Sequence, residues 1–394
     1  MTIDQNTHRI RDAGKIIKLS LIVGVIGLLI SFSGLLKNHE QFYHSYLVAF
    51  NFWVSIGLGG LFFVMLHHLT GAVWSVVIRR MAEAAAMTLP MMGILFIPIL
   101  LNHHDLYHWS HADVVSHDRV LQLKAVYLNS TFFIVRSVFY FAVWIFLSMR
   151  LTQMSLKQDV ESDNSIALKM RQFSAPGMII FAFTITFASF DWLMSLDAHW
   201  YSTIFGVYYF SGSVMAALAF LALTMIYLKR TGVMSELISV EHYHDIGKLL
   251  FTFMVLWTYM AFSQYFLIWY ANIPEETTWY HHRGVGSWKT VSLWIVFGHF
   301  VIPFIALITR AAKRNEIWLG IMAIWLLLFH WLDMYWNVMP NLYAEGARFS
   351  WLDLTTMIGF AGIFKWAFWR RYASQAIVPI KDPQLDKSIN IVSG

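Results

Sequence analysis

Residues 316–337 have the sequence EIWLGIMAIWLLLFHWLDMYWN, and this stretch decides the class of fold. A helix needs about 20 mostly apolar residues to cross the hydrocarbon core of a bilayer, and this segment meets that requirement. It nevertheless contains His330 and Asp333, which lie at i and i+3 and therefore share one helical face. Ionisable side chains at membrane depth are costly and usually functional, so the segment predicts a membrane span that carries a polar site.

Segments of similar length and composition recur along the chain. The ten predicted spans are residues 16–36, 45–69, 81–101, 129–149, 173–193, 203–228, 248–271, 289–309, 316–337 and 350–369. The second connection is predicted around Arg79 and Arg80, where apolar residues continue on both sides. A polar tail follows over residues 375–394. We therefore predict an all-α polytopic membrane protein with a single membrane domain over residues 1–374.

The composition excludes other classes of protein. The chain is 58% hydrophobic and 13% charged, with a mean hydropathy of +0.56, and no soluble domain of 394 residues could bury that much apolar surface. Cysteine is absent, which excludes iron–sulfur ligation, thiolate zinc sites, disulfides and covalent c-type haem within this chain. The net charge of +5 reflects membrane topology and does not indicate nucleic-acid binding.

The distribution of positive charge predicts the orientation. Most of the 28 Lys and Arg residues lie in the N-terminal tail, in alternate connections and in the C-terminal segment. By the positive-inside rule both termini are then cytoplasmic, which also requires an even number of spans. The first span follows a polar N-terminus without a small-residue cleavage site, so we expect it to be retained.

A weak internal repeat suggests how the spans are grouped. The fifth span ends in Asp191-Trp-Leu-Met, and the ninth span ends in His330-Trp-Leu-Asp-Met. The two segments are four spans apart and run in the same direction. The repeat predicts two four-helix bundles, formed by spans two to five and six to nine, with the first and tenth spans at the periphery.

Ionisable groups at membrane depth are the candidate residues of a proton path. The set toward the outer face comprises Arg136, Tyr140, Asp191, His330, Asp333 and Asp353. The set toward the cytoplasmic face comprises His67, His68 and Glu83. The midplane between them is mostly apolar, with His299 as the main candidate link. This arrangement predicts two half-channels and not one continuous pore.

Structural interpretations of the same residues stay open. In the first, Asp353 and Asp197 face interfacial water. In the second, Arg136 forms a static ion pair with Asp191 or Asp333. In the third, His330 and Asp333 share a structural hydrogen bond, and in the fourth, His67 and His68 are an interfacial pair without function.

The histidines and aromatic residues bear on cofactors. The outer loops contain His103, His104, His108, His111, His117, His281 and His282. Their spacing matches no metal-ligand motif, so we predict no metal site and expect hydrated loops that lie against partner subunits. A haem b site between helices uses two histidines about 13–14 residues apart on one helix, and no span carries such a pair. A quinone site needs an apolar slot with a His, Tyr or Asp donor, and the sequence permits one.

Two motifs resemble a known family. Residues 124–141 (KAVYLNSTFFIVRSVFYF) and 190–197 (FDWLMSLD), together with the histidine-rich loop, are similar to the ActF-type membrane protein of bacterial alternative complex III. That complex is a quinol:cytochrome c oxidoreductase, and the ActF family belongs to the superfamily of polysulfide-reductase membrane proteins (NrfD/PsrC-like). The similarity extends over essentially all ten spans.

The resemblance implies a function within a respiratory complex. It implies two four-helix bundles flanked by two helices in the bacterial inner membrane, with no redox centre in this chain. The implied partners are a homologous membrane subunit, an iron–sulfur subunit and c-type cytochrome subunits, and a terminal oxidase and lipids are further expected partners. In the family, quinol oxidation is generally assigned to the homologous membrane subunit beside the iron–sulfur protein. The roles implied for this chain are quinone binding, proton half-channels or both, so the chain is expected to be one component of a complex and not an enzyme alone. The alternatives are a proton-coupled secondary transporter and a purely structural scaffold.

Overall fold

A computed structural model of the protein describes residues 8–161, 163 and 165–392. It is 80% helical, and the described residues contain no strand. The predicted fold class, an all-α polytopic membrane protein, is thereby confirmed.

Within this described part, nine helices are long and apolar enough to cross a membrane. They are α1 (Gly14–Leu36), α2 (His39–Thr70), α3 (Val76–Leu101), α4 (Ser130–Val160), α5 (Ser165–Leu196), α6 (Phe205–Arg230), α7 (Val240–Ala271), α8 (Gly286–Leu307) and α9 (Glu316–Asn341). The tenth predicted span is also a helix, α10 (Trp351–Ala373), but it is less apolar than the others because it includes Asp353, Lys365, Arg370 and Arg371.

Helix α10 lies antiparallel along α1 and therefore occupies the same depth. Glycines make this close approach possible. A Cβ atom on Gly27 would lie 2.7 Å from the backbone nitrogen of Gly359, and one on Gly24 would lie 2.6 Å from that of Ile363. Small residues commonly line helix contacts in membranes, where close backbone packing replaces the hydrophobic effect as the driving force. Close packing against α1, and not its own hydropathy, thus holds the tenth helix in the membrane domain.

The central helices form two four-helix bundles, as the repeat predicted. Helices α2–α5 form the first bundle and α6–α9 the second, and α2 packs against α6 where the bundles meet. In the apolar 18-residue stretches of α2 and α6, 94% and 83% of the residues are buried, whereas only 28% are buried in that of α7. The interior of the molecule therefore runs along α2 and α6, and α7 is a peripheral helix.

The two ends of the bundles differ in character. We call the end formed by residues 102–129 and 272–285 the histidine face, and the end formed by residues 8–13 and 374–392 the terminal face. Both ends of the described chain lie at the latter, because the backbone nitrogen of Ile377 donates to the carbonyl oxygen of His8 at 3.0 Å. The tail packs back on the membrane domain, with Ile377 and Val378 buried and Asp382 Oδ2 2.7 Å from Arg79 Nη1.

Two helices depart from the predicted spans. Helix α3 begins at Val76 and not at residue 81, so Arg79 and Arg80 lie inside a helix and not in a connection. The connection lies earlier in the sequence because Gly71, with a φ of +61°, caps the end of α2. Helix α8 contains a π-helical turn over Ile295–Val301. Pro303 follows that turn and has no N–H to donate to the preceding carbonyls, which explains the widened hydrogen-bond pattern.

We expect Gly27→Val to destabilise the protein, because the added atoms would overlap the backbone of Gly359. Overpacking of this kind costs about 1–3 kcal/mol. Thermal unfolding of the purified protein in detergent measures the effect, and Val25→Leu on the exposed side of the same helix is the control. Equal melting temperatures for the two variants would contradict close packing of α1 on α10.

Candidate functional site

The first bundle contains a closed ion pair. Arg136 on α4 donates from Nε to Asp191 Oδ2 and from Nη2 to Asp191 Oδ1, both at 2.8 Å. The Tyr140 hydroxyl donates to Asp191 Oδ2 at 2.7 Å. The carboxylate is fully buried, and each of its oxygens has a partner. This bidentate geometry favours a static pair, and it selects Asp191 over Asp333 as the partner of Arg136.

Aromatic residues hold the guanidinium of that pair in place. Its carbon lies 3.8 Å from the ring centre of Tyr127 and 4.2 Å from that of Phe132. The third guanidinium nitrogen, Nη1, donates to the Tyr127 carbonyl oxygen at 2.9 Å. Every nitrogen of Arg136 therefore already has a partner within the protein.

The second bundle contains a carboxylate that is only half satisfied. Asp333 on α9 is fully buried, and its Oδ1 accepts hydrogen bonds from the Tyr208 hydroxyl on α6 and, at 3.2 Å, from Asn337 Nδ2. Asp333 Oδ2 has no hydrogen bond of normal length and angle with any described residue, and the Trp257 indole lies close enough to be a weak donor to this carboxylate. Asn337 Oδ1 is likewise a buried acceptor without a partner in that part of the chain. Because an unpaired buried carboxylate oxygen is costly, this site has unused hydrogen-bonding capacity.

A histidine connects this site to the first bundle. His330 lies one helical turn from Asp333 and is fully buried. Its Nε2 is 2.9 Å from the Ser55 hydroxyl on α2, and its Nδ1 has no partner among the described residues. Gly212 on α6 provides the space, since a Cβ there would lie 3.2 Å from both His330 Cε1 and Trp257 Cδ1. His330 is thus the polar group where the two bundles meet.

The π-helical turn of α8 places a second histidine beside the same residues. His299 is fully buried, and neither of its ring nitrogens has a partner among the described residues, whereas Trp257 interacts with the Asp333 carboxylate. The ring centres of His299 and Trp257 lie 3.7 Å apart. π-Helical turns occur frequently at functional sites. The second bundle therefore gathers several unsatisfied polar atoms around its buried acid, in contrast to the closed Arg136–Asp191 pair.

A cavity of about 940 Å³ lies next to these residues in the second bundle. Helix α7 packs against the π-helical turn and the later part of α8, and the cavity occupies the space between their segments nearer the histidine face. Its walls are mainly apolar, and the lining includes Tyr208, Trp257, Gln264, Tyr280 and Arg283. The mouth is bordered by exposed apolar side chains such as Phe262 and Val296, which are 60% and 53% exposed. A membrane-soluble molecule could therefore enter from the side.

Arg283 forms the end of the cavity at the histidine face. It is 2% exposed and donates to the carbonyl oxygens of Trp279, Trp336 and Asn337 at 2.9–3.2 Å. Its guanidinium carbon lies 3.6 Å from the Trp279 ring centre. Burial lowers the pKa of Arg283 to about 9, and the negative charge of Asp197 opposes that shift. The side chain is therefore a cation at pH 7, and uncharged backbone carbonyl groups stabilise it in place of water.

Asp353 lies in a separate polar group and is buried, so the interpretation in which it faces interfacial water is wrong. Its Oδ2 accepts from the Ser350 backbone nitrogen at 2.8 Å, which caps α10. Its Oδ1 accepts from the Ser45 hydroxyl at 2.6 Å and from Gln41 Nε2 at 3.3 Å. These bonds fix the start of α10 against α2, which gives Asp353 a structural position.

The candidates near the terminal face belong to a buried ionic network. Glu83 lies 3.3 Å from Arg79 Nε and 3.0 Å from Arg80 Nη1. His67 Nδ1 is 2.7 Å from the Ser75 hydroxyl, and its Nε2 is 3.4 Å from Arg79 Nη1. His68 is buried beside it, and its Nε2 lacks a partner within the described chain. This network holds α2, α3 and the C-terminal tail together.

The predicted residues thus divide into four groups and do not form one cavity. The groups are Arg136 with Tyr140 and Asp191, His299 with His330 and Asp333, Asp353 by itself, and His67 and His68 with Glu83. Sequence reasoning missed Tyr208, Arg283 and the cavity. Neither residue carries a distinguishing signal, since Tyr208 is one of 17 tyrosines and Arg283 is one of many loop cations.

Comparison of the chain with protein-family models and with curated proteins gave no match.

We expect Arg136→Met to lower stability by about 3–5 kcal/mol, because it leaves the Asp191 carboxylate buried without its counter-ion. The double variant Arg136→Met/Asp191→Asn should recover most of this loss, since no charge then remains at the site. Thermal or denaturant unfolding in detergent measures both. A double variant less stable than Arg136→Met alone would show that the pair is not the source of the stability.

Proposed function

We propose that this chain is the quinone-binding membrane component of a respiratory quinol:cytochrome c oxidoreductase of the alternative complex III type. The observation that carries the proposal is the cavity between α7 and α8. Its lining includes Tyr208, whose hydroxyl donates a hydrogen bond to Asp333. The family resemblance of residues 124–141 and 190–197 supports the same assignment. In this proposal the histidine face is the outer face, because positive charge is concentrated toward the terminal face.

The shape and lining of the cavity favour a quinone over a water-soluble substrate. Binding sites for small molecules are commonly apolar with a few placed polar groups, and this cavity has apolar walls with Tyr208, Gln264, Tyr280 and Arg283 at its polar positions. A quinone headgroup needs such donors, whereas its isoprenoid tail needs a lateral opening to lipid. The exposed apolar border of the mouth provides that opening.

The Tyr208–Asp333 pair supplies a route for a proton. The Tyr208 hydroxyl already donates to Asp333, so its oxygen can accept the proton of a quinol hydroxyl while its own proton passes to the carboxylate. The electrons leave to redox centres in partner subunits. Within the described chain Asp333 Oδ2 has no hydrogen bond of normal geometry, with Trp257 as a weak donor to the carboxylate, so it can also bond water that carries the proton further.

The route beyond Asp333 points toward the first bundle. His330 lies one turn deeper and contacts Ser55 on α2, and His299 lies beside Trp257. These groups extend the polar path into the interior, whereas Arg136 and Asp191 form a closed pair that we assign to helix packing. A scaffold without function would have no need for unsatisfied polar atoms around a buried acid, and a transporter of polar solutes would need a more polar cavity.

We expect the purified chain to bind short-chain quinones and the variant Ala261→Trp, which fills the cavity, to abolish binding. Tyr208→Phe should weaken binding about five-fold through loss of one hydrogen bond. Quenching of tryptophan fluorescence measures the affinity, because Trp257, Trp269 and Trp336 line the cavity. The matched control is Tyr140→Phe, which removes the equivalent hydroxyl from the closed pair. Unchanged binding in both cavity variants would exclude this site.

In the assembled complex, Asp333→Asn should lower quinol oxidation about a hundred-fold, because the amide cannot accept the proton that Tyr208 relays. Asp191→Asn is the control and should leave turnover unchanged in complexes that still assemble. The measurement is quinol-dependent reduction of cytochrome c by purified complex of each variant. Equal turnover in the two variants would remove Asp333 from the proton route.

A further inference from the structure

A second cleft lies between α3 and α10, near the terminal face. Its volume is about 470 Å³, and it is lined by Met87, Pro90, Met91, Trp366, Ala367, Arg370, Arg371 and Ser374. The cleft exists because α3 is interrupted: Pro90 lies in the first turn of its second helical segment, Leu89–Leu101, and the first segment ends at Ala86. Proline at that position has no N–H to extend the preceding helix. The interruption leaves a gap beside the last turns of α10.

The two arginines of the cleft lack acidic partners. Arg370 contacts the Trp366 ring, with its guanidinium carbon 5.3 Å from the ring centre, and no carboxylate of the described chain lies within ion-pair distance of Arg370 or Arg371. The Nε of Arg371 is buried without any hydrogen-bond partner among those residues. Arg371 as a whole is half-buried and lines the cleft, so a phosphate oxygen or water in the cleft would complete its hydrogen bonding.

The neighbouring acids are already engaged. Glu83 is shared by Arg79 and Arg80, Asp382 pairs with Arg79, and Asp159 lies 2.5 Å from Arg80 Nη2. Each of these carboxylates lies within ion-pair distance of Arg79 or Arg80, and Glu83 attracts Arg371 only from a longer distance, where Arg80 opposes it. The cleft therefore presents incompletely compensated positive charge beside apolar walls, at the end of the membrane domain where the tail packs.

From this geometry we infer that the cleft binds an anionic phospholipid, with its phosphate on Arg370 and Arg371 and an acyl chain against Met87, Pro90 and Met91. Guanidinium groups bind phosphate oxygens through charge-assisted hydrogen bonds, and basic pockets between membrane helices bind anionic headgroups. The apolar walls distinguish this site from one for free phosphate, since they match an acyl chain and contribute nothing to a soluble anion. The Trp366 ring lies at the level of the headgroup, as interfacial tryptophans commonly do.

Native mass spectrometry of the full chain in mild detergent tests this site with phosphatidylglycerol and with phosphatidylcholine of the same acyl chains. We expect preferential retention of phosphatidylglycerol. The variant Arg370→Gln/Arg371→Gln should weaken its binding about thirty-fold, and Arg370→Gln alone, at an exposed position that does not affect folding, about five-fold.

The matched control is Lys169→Gln/Arg171→Gln, which removes two exposed positive charges near the start of α5 on the same side of the membrane domain. We expect this variant to bind phosphatidylglycerol like the unmodified chain, and we expect excess inorganic phosphate to leave the lipid bound. An equal loss in the control would show general surface attraction. Equal retention of both lipids, or displacement by inorganic phosphate, would likewise overturn the assignment.

Discussion

The cost of burying charge away from water is the constraint on which this structure depends. Each bundle contains a fully buried aspartate on its last helix, and each aspartate accepts a hydrogen bond from a tyrosine. The difference lies in the counter-charge. Arg136 neutralises Asp191 directly, whereas the cation nearest to the second site, Arg283, donates to carbonyl groups. One acid is therefore held in an ion pair, and the other has no ion-pair partner among the described residues.

The same constraint explains why polar atoms without partners gather around Asp333 and not around Asp191. The third helix of the first bundle supplies Arg136, and the third helix of the second bundle supplies His299 on a π-helical turn instead. Neither ring nitrogen of His299 has a partner among the described residues, and the widened turn places its ring against Trp257. The two bundles thus differ in the side chain that their third helix contributes to the buried polar group.

The sequence predicted the helices well because hydropathy and helix length act locally. It also predicted the Arg136–Asp191 contact as one of two options, since both residues are charged and lie at similar depth. It could not predict the cavity. In a membrane protein, an apolar residue that lines a cavity has the same composition as one that faces lipid, so Phe262 and Val296 carry no distinguishing signal. The start of α3 was placed too late because buried Arg79 and Arg80 resemble loop cations until their partners Glu83, Asp159 and Asp382 are known.

The positions of the two clefts follow from how the helices are interrupted. Pro90 interrupts α3 near the terminal face and opens the cleft that contains Arg370, whereas Pro303 follows the widened turn of α8, beyond which the larger cavity opens toward the histidine face. Regular helices of this length would pack along their whole extent and leave neither space. An interrupted helix instead loses backbone hydrogen bonds, which a membrane protein can tolerate only where neighbouring groups restore them. Each interrupted helix packs against regular ones, α3 against α2 and α10, and α8 against α7 and α9.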